Sequence, residues 1–369
     1  MEDLSHEDAL RLNVLMAGEV HAVRIDEGAM ALHALTPKGE AKIALNPNSG
    51  DEAYLRKVRE FLAGKVLDSP GGFPTNLRRW NRMGQARQQG LDRLLLLGEP
   101  EAVVSVAYSA GIDDELARRA WWALPTSDNA RRMLERSAVA DGSMGPVLAA
   151  WLVEHLPFEN DSFTIVDTVR TVLLRPGLID AQARETLWRK GLHRKSYYVG
   201  FLACQPDDLP EPLPDHRQFA ALRDDLTGLG DNPWAALLLR SLAGPGQRFL
   251  ATCVDVLADA DDQEVVNTTL DALADYYRPL RPESDHPGSI EAAIAEAEAE
   301  DLPEAAGAVL ARPAETEEWL RTMRLLSRCD RRIADPILTR TTAVGSLMRR
   351  KLAPLIEPIV SYCRRLSGG

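Results

Sequence analysis

The sequence predicts a mainly α-helical protein: a small N-terminal α/β module, built as a three-stranded antiparallel meander with flanking helices, followed by an α-solenoid-like helical array of the HEAT or TPR kind. Three observations carry this expectation. Alternation of apolar and polar residues is confined to residues 20–47. Beyond residue 75, helical stretches opened by Asp, Ser or Pro recur at intervals of roughly 14 to 18 residues, and pairs of them near 30. Breaks rich in Pro, Gly and charge, "DSPGGFP" (68–74) and "CQPDDLPEPLPDH" (204–216), divide the chain into 1–70, 71–210 and 211–369.

The elements follow in order. "LSHEDALRLNVLMA" (4–17) reads as an amphipathic helix with Ser5 and Asp8 as an approximate capping box and Gly18 as its stop. "VHAVRIDE", "AMALHALT" and "EAKIALNP" alternate with period two and are separated by "EG" and "TPKG", which predicts the meander. "DEAYLRKVREFLAG" (51–64) puts Tyr54, Leu55, Val58, Phe61 and Leu62 on one helical stripe. "EPEAVVSVAY", "DDELARRAWWALP", "SDNARRMLERS", "MGPVLAAWLVEHL", "DSFTIVDTVRTVLLRP" and "DAQARETLWRK" then succeed one another as short helices. In the second of these, capped at Asp113 and stopped at Pro125, Trp121 shares a face with Ala117 and Leu124 and is expected in the core. Trp122 points elsewhere: it fills the groove to the next helix, or stacks on an arginine as a cation–π pair, with Arg118 and Arg119 beneath it.

Composition bounds the function. A chain of 369 residues buries a sizeable core without staples, and its 45% hydrophobic and 27% charged residues are globular values. The acidic start "MEDLSHEDAL" and a longest apolar run of only "VLAAWLV" (147–153) point to a cytoplasmic protein with no membrane span. The formal net charge of −12 is concentrated: residues 255–304 hold fifteen acidic and two basic residues, which leaves +1 for the rest. Basic clusters lie at 76–93, 184–195 and 348–365.

No catalytic, cofactor or metal constellation can be named. GxSxG, HExxH, SxxK and P-loop patterns are missing, and the seven histidines form no i, i+3 or i, i+4 pair. His21 and His33, on neighbouring strands, are read as packing residues, and "DADDQE" (259–264) as a helix start instead of a calcium loop, because the sharp-turn Gly is missing. Cys204, Cys253, Cys329 and Cys363, spaced by 49, 76 and 34 residues, read as reduced core thiols.

Several long stretches together carry a resemblance: "LSHEDALRLNVL", "LDSPGGFP", "LLLLGEPEAVVSV", "ARRAWWALPTSDNARRMLER", "YYVGFLACQPDDLPEPLPDH" and "VGSLMRRKLAP". These are similar to the DsrS family, sulfur reduction protein S encoded in the dissimilatory sulfite reductase gene cluster of sulfur-oxidising bacteria. The resemblance implies a soluble cytoplasmic accessory protein without a prosthetic group, working beside oxidation of stored sulfur and regulating expression of that cluster. It brings no catalytic residues with it.

The expectation is therefore a non-enzymatic interaction protein of sulfur oxidation with a protein partner. Its candidate partner surface is Arg78, Arg79, Trp80, Arg82 and Arg87, with Trp122, Arg189, Lys190, Arg194 and Lys195. Two alternatives stand beside it. The same arginines and interleaved aromatics suit RNA or DNA, and Cys204 is the candidate reactive thiol of a sulfur-handling enzyme.

Overall fold

A computed structural model describes residues 4–67, 90–283, 287–299, 301–310 and 315–367. It is 65% helical, with twenty α-helices and one three-stranded antiparallel sheet among the described residues. The predicted architecture, a small strand-bearing module near the N-terminus and then a helical array, is the observed one. The chain forms two compact units, residues 1–157 with 175–179, and residues 158–174 with 180–369.

In the first unit, helix His6–Met16 precedes strands β1 (Ala22–Asp26), β2 (Ala31–Thr36) and β3 (Gly39–Ala44), paired in that order. The register sets Arg24 opposite His33 and His33 opposite Lys42 on one face. The alternate residues Val23, Leu32 and Ala34 pack with Leu12 and with Tyr54, Leu55, Val58 and Leu62 of helix Asp51–Leu67. Ser5 caps the first helix through the Asp8 N–H, but Asp8 does not close the capping box. Its fully buried carboxylate instead accepts from the Tyr54 hydroxyl at 2.5 Å and the Asn46 N–H at 2.7 Å, tying helix to sheet. The β1 backbone also reaches into the helical part: the Val23 N–H donates to the Leu95 carbonyl at 2.7 Å. Gly98 makes that approach possible, since its φ of +66° suits glycine and a Cβ there would meet Ile25 at 3.0 Å. Helices Pro100–Ala107, Asp114–Ala123, Ser127–Leu134 and Met144–His155 complete the unit.

In the second unit, helices Ser162–Leu173, Lys195–Cys204 and Gln263–Tyr276 are mutual neighbours. Gly200 lets the first two close up, because a Cβ there would lie 2.5 Å from the Val169 Cβ. Asp161, Asp180 and Asp262 cap their helices by accepting a backbone N–H, so the acidic start "DADDQE" supplies a cap. Helix Gly244–Ala258 packs on the long C-terminal helix Gly345–Leu366, which carries Pro354 and Pro358 in its interior. No helix among the described residues is long and apolar enough to cross a membrane.

Candidate functional site

Trp122 is half-buried and fully engaged. Its indole N–H donates to Glu40 Oε2 at 3.2 Å, and the Arg24 guanidinium lies 4.8 Å from its ring centre. The cation–π partner thus comes from β1, while Arg118 and Arg119 of its own helix both bind Glu115. That pair holds the Glu115 carboxyl down at about 2, chiefly through the Arg118 hydrogen bond. Glu40 also accepts from His33 Nδ1 at 2.5 Å and Arg24 at 3.1 Å. These donors, His33 first, hold its carboxyl below the ordinary range against the opposing effect of burial. Trp121 is half-buried and not a core residue: it meets Trp151 edge-on at 5.1 Å, and Trp151 stacks on His155 at 3.7 Å.

The other candidate residues divide. Arg78, Arg79, Trp80, Arg82 and Arg87 lie outside the described residues. Arg194 spends its guanidinium on the carbonyls of Glu159 and Asn160. Lys195, 9% exposed, pairs with Asp255 at 2.8 Å. Lys190 sits 5.8 Å from the Tyr197 ring centre, and burial lowers its pKa. Arg189 is exposed, with Glu185 at 3.9 Å. The 184–195 cluster therefore contributes mainly to the interior contacts of its unit and not to one open cationic face.

Cys204 is half-buried at the end of its helix, its Sγ 3.6 Å from the Arg170 carbonyl. Burial pushes its thiol pKa up, against a smaller effect of Arg170, so the nucleophilic thiolate is scarce at neutral pH. Cys253, Cys329 and Cys363 are buried and free. No group of three or more His, Cys, Asp or Glu side chains among the described residues is placed to hold a metal ion.

Beside Cys204, a cleft of about 390 Å³ opens in the second unit. One wall is a single face of helix Gln263–Tyr276, carrying Glu264, Thr268, Asp271 and Asp275 at i, i+4, i+7 and i+11. The acidic 255–304 stretch thus supplies a wall. Phe163, Asp167 and Arg170 of helix Ser162–Leu173 form another, with Leu202 and Ala203 between. Two guanidinium groups complete the lining. Arg240 lies 3.6 Å from the Tyr276 ring centre and binds Asp207 through two contacts of 2.6 Å. Arg331 donates to Asp271 through its backbone N–H at 2.9 Å and through Nε. Capacity is left over. Glu264 accepts only from the Thr268 hydroxyl, at 2.7 Å, among the described residues, and the exposed Arg170 guanidinium has no hydrogen-bond or ion-pair partner among them.

Sequence reasoning missed this cleft. The stripe Glu264, Thr268, Asp271, Asp275 is legible, but alone it reads as a solvated helix face, and nothing local says that helix Ser162–Leu173 stands beside it. Comparisons with protein-family models, curated proteins and solved structures return no match to this chain.

Proposed function

We propose that the chain is a non-enzymatic interaction protein that receives a protein partner in the cleft of its second unit. The family resemblance makes sulfur oxidation the setting in which that partner is to be sought. One observation carries the reading: among the described residues the cleft keeps donor and acceptor capacity at Arg170 and Glu264, whereas Arg240, Arg331 and Asp275, which line it too, are answered within the chain. A concave site with a few converging polar groups is the usual form of a binding site. Two observations weigh against the alternatives. Arg194 and Lys195, central to a nucleic-acid reading of residues 184–195, are spent on internal contacts, and the Cys204 thiol is shifted away from reactivity.

The test is recovery of the full-length protein from cells oxidising sulfur, beside an Ala203→Arg variant whose new side chain fills the cleft. A protein that accompanies the wild type and is lost with Ala203→Arg, at unchanged melting temperature, is the expected result. Enrichment of RNA or DNA that falls steeply between about 50 and 200 mM salt would favour the nucleic-acid alternative instead.

A further inference from the structure

We infer that the occupant of the cleft is an extended peptide segment bearing an arginine or lysine, its cation against Glu264 and its apolar neighbour on Phe163. The inference rests on the docking reading above and names the chemistry of the partner.

Asp167, Glu264, Asp271 and Asp275 face the cleft against Arg170, Arg240 and Arg331. Arg240 and Arg331 are already bound, to Asp207 and Asp271, so among the described residues an incoming anion would find only Arg170 of these three uncommitted. Asp275 in turn receives Arg278 at 2.6 Å, and Glu264, whose charge also acts on Arg331, has among the described residues one carboxylate oxygen without a hydrogen bond beyond its Thr268 contact.

The cleft already holds this chemistry twice. Arg240 is stacked on an aromatic ring and held by two carboxylate contacts, and Arg331 is held by Asp271 through both backbone and side chain. A third guanidinium or ammonium against Glu264 would repeat the pairing, and charge-assisted contacts of this kind are the stronger hydrogen bonds.

Shape agrees with charge. A cleft of about 390 Å³ suits a side chain with its flanking backbone and is too small for a folded element. Phe163 is 56% exposed and lines the cleft, an apolar surface for the residue next to the cation. In an extended peptide adjacent side chains diverge to opposite sides, so one can enter while its neighbour lies on the rim. Arg170, on the same wall as Phe163, is then available to a backbone carbonyl of the segment.

The experiment is fluorescence polarisation with the full-length protein and a labelled nonapeptide containing one central arginine between leucines, beside the same peptide with glutamine at the centre. The arginine peptide should bind and the glutamine peptide should not. Glu264→Gln should weaken binding by roughly tenfold or more, the scale of a lost hydrogen bond to a charged group. Glu291→Gln, which makes the same charge change on an exposed residue not lining the cleft, should change it less than about twofold. Phe163→Ser, at an exposed position where folding is not at stake, should weaken it as well. Equal binding of both peptides, equal effects of Glu264→Gln and Glu291→Gln, or no binding at all would overturn the inference. If the peptide fails while Ala203→Arg still abolishes capture of a protein from cells, the basic-segment inference falls and docking stands. If the peptide binds at Glu264 while capture ignores Ala203→Arg, the docking reading falls instead.

Discussion

The Trp122 site in the first unit and the cleft in the second use the same residue types to opposite ends. Around Trp122, Glu40 receives three donors, Arg24 is stacked, and Arg118 and Arg119 share Glu115. Each of these charges is answered within the chain. In the cleft, Glu264 and Arg170 retain capacity among the described residues. The difference teaches that a conspicuous sequence, two tryptophans in a run of arginines, can be consumed by its own fold. A plain helix such as "QEVVNTTLDALADY" can meanwhile line an open cleft.

The largest effect expected from this contrast is on stability. Trp122→Ala removes a half-buried ring, its hydrogen bond to Glu40 and its stacking on Arg24, and should cost about 1–3 kcal/mol. Glu264→Gln, on a side chain with one hydrogen bond, should stay within about 0.5 kcal/mol. Urea denaturation of the two variants against the wild type checks both, and a reversed order would break the comparison.

A smaller effect should come from acid. The Glu40 and Glu115 carboxyls lie below the ordinary range in the folded protein, Glu115 at about 2. Their contribution is therefore present in full above the unfolded carboxylate range and lost as the pH falls through the folded values. Both groups are well exposed, so screening keeps the effect small. Tryptophan fluorescence followed from pH 5 to pH 2 should show a step that Trp122→Phe removes. A step unchanged in that variant would detach the signal from Glu40.

Much of this was legible in the sequence. Period-two alternation located the meander, and Asp113 and Pro125 marked the two ends of the tryptophan-bearing helix. The capping box was legible only by half, because Ser5 obeys a local rule while Asp8 answers Tyr54 and Asn46, 46 and 38 residues away. The same limit applies to Trp122, whose partners Arg24 and Glu40 come from the sheet. It applies again to the cleft, which needs helices Ser162–Leu173 and Gln263–Tyr276 side by side. Local spacing fixes faces, whereas the neighbour of a face is set by tertiary packing.

The central claim is that a partner protein enters the cleft, and photo-crosslinking in cells oxidising sulfur tests it most directly. Benzoylphenylalanine placed at Phe163 lines the cleft, and at Trp122 it probes the site that folding has already filled. The account predicts a crosslinked protein from position 163, attached through a peptide that contains Lys or Arg, and none from position 122. A crosslink from position 122 alone, or nucleic acid in place of protein at position 163, would contradict it.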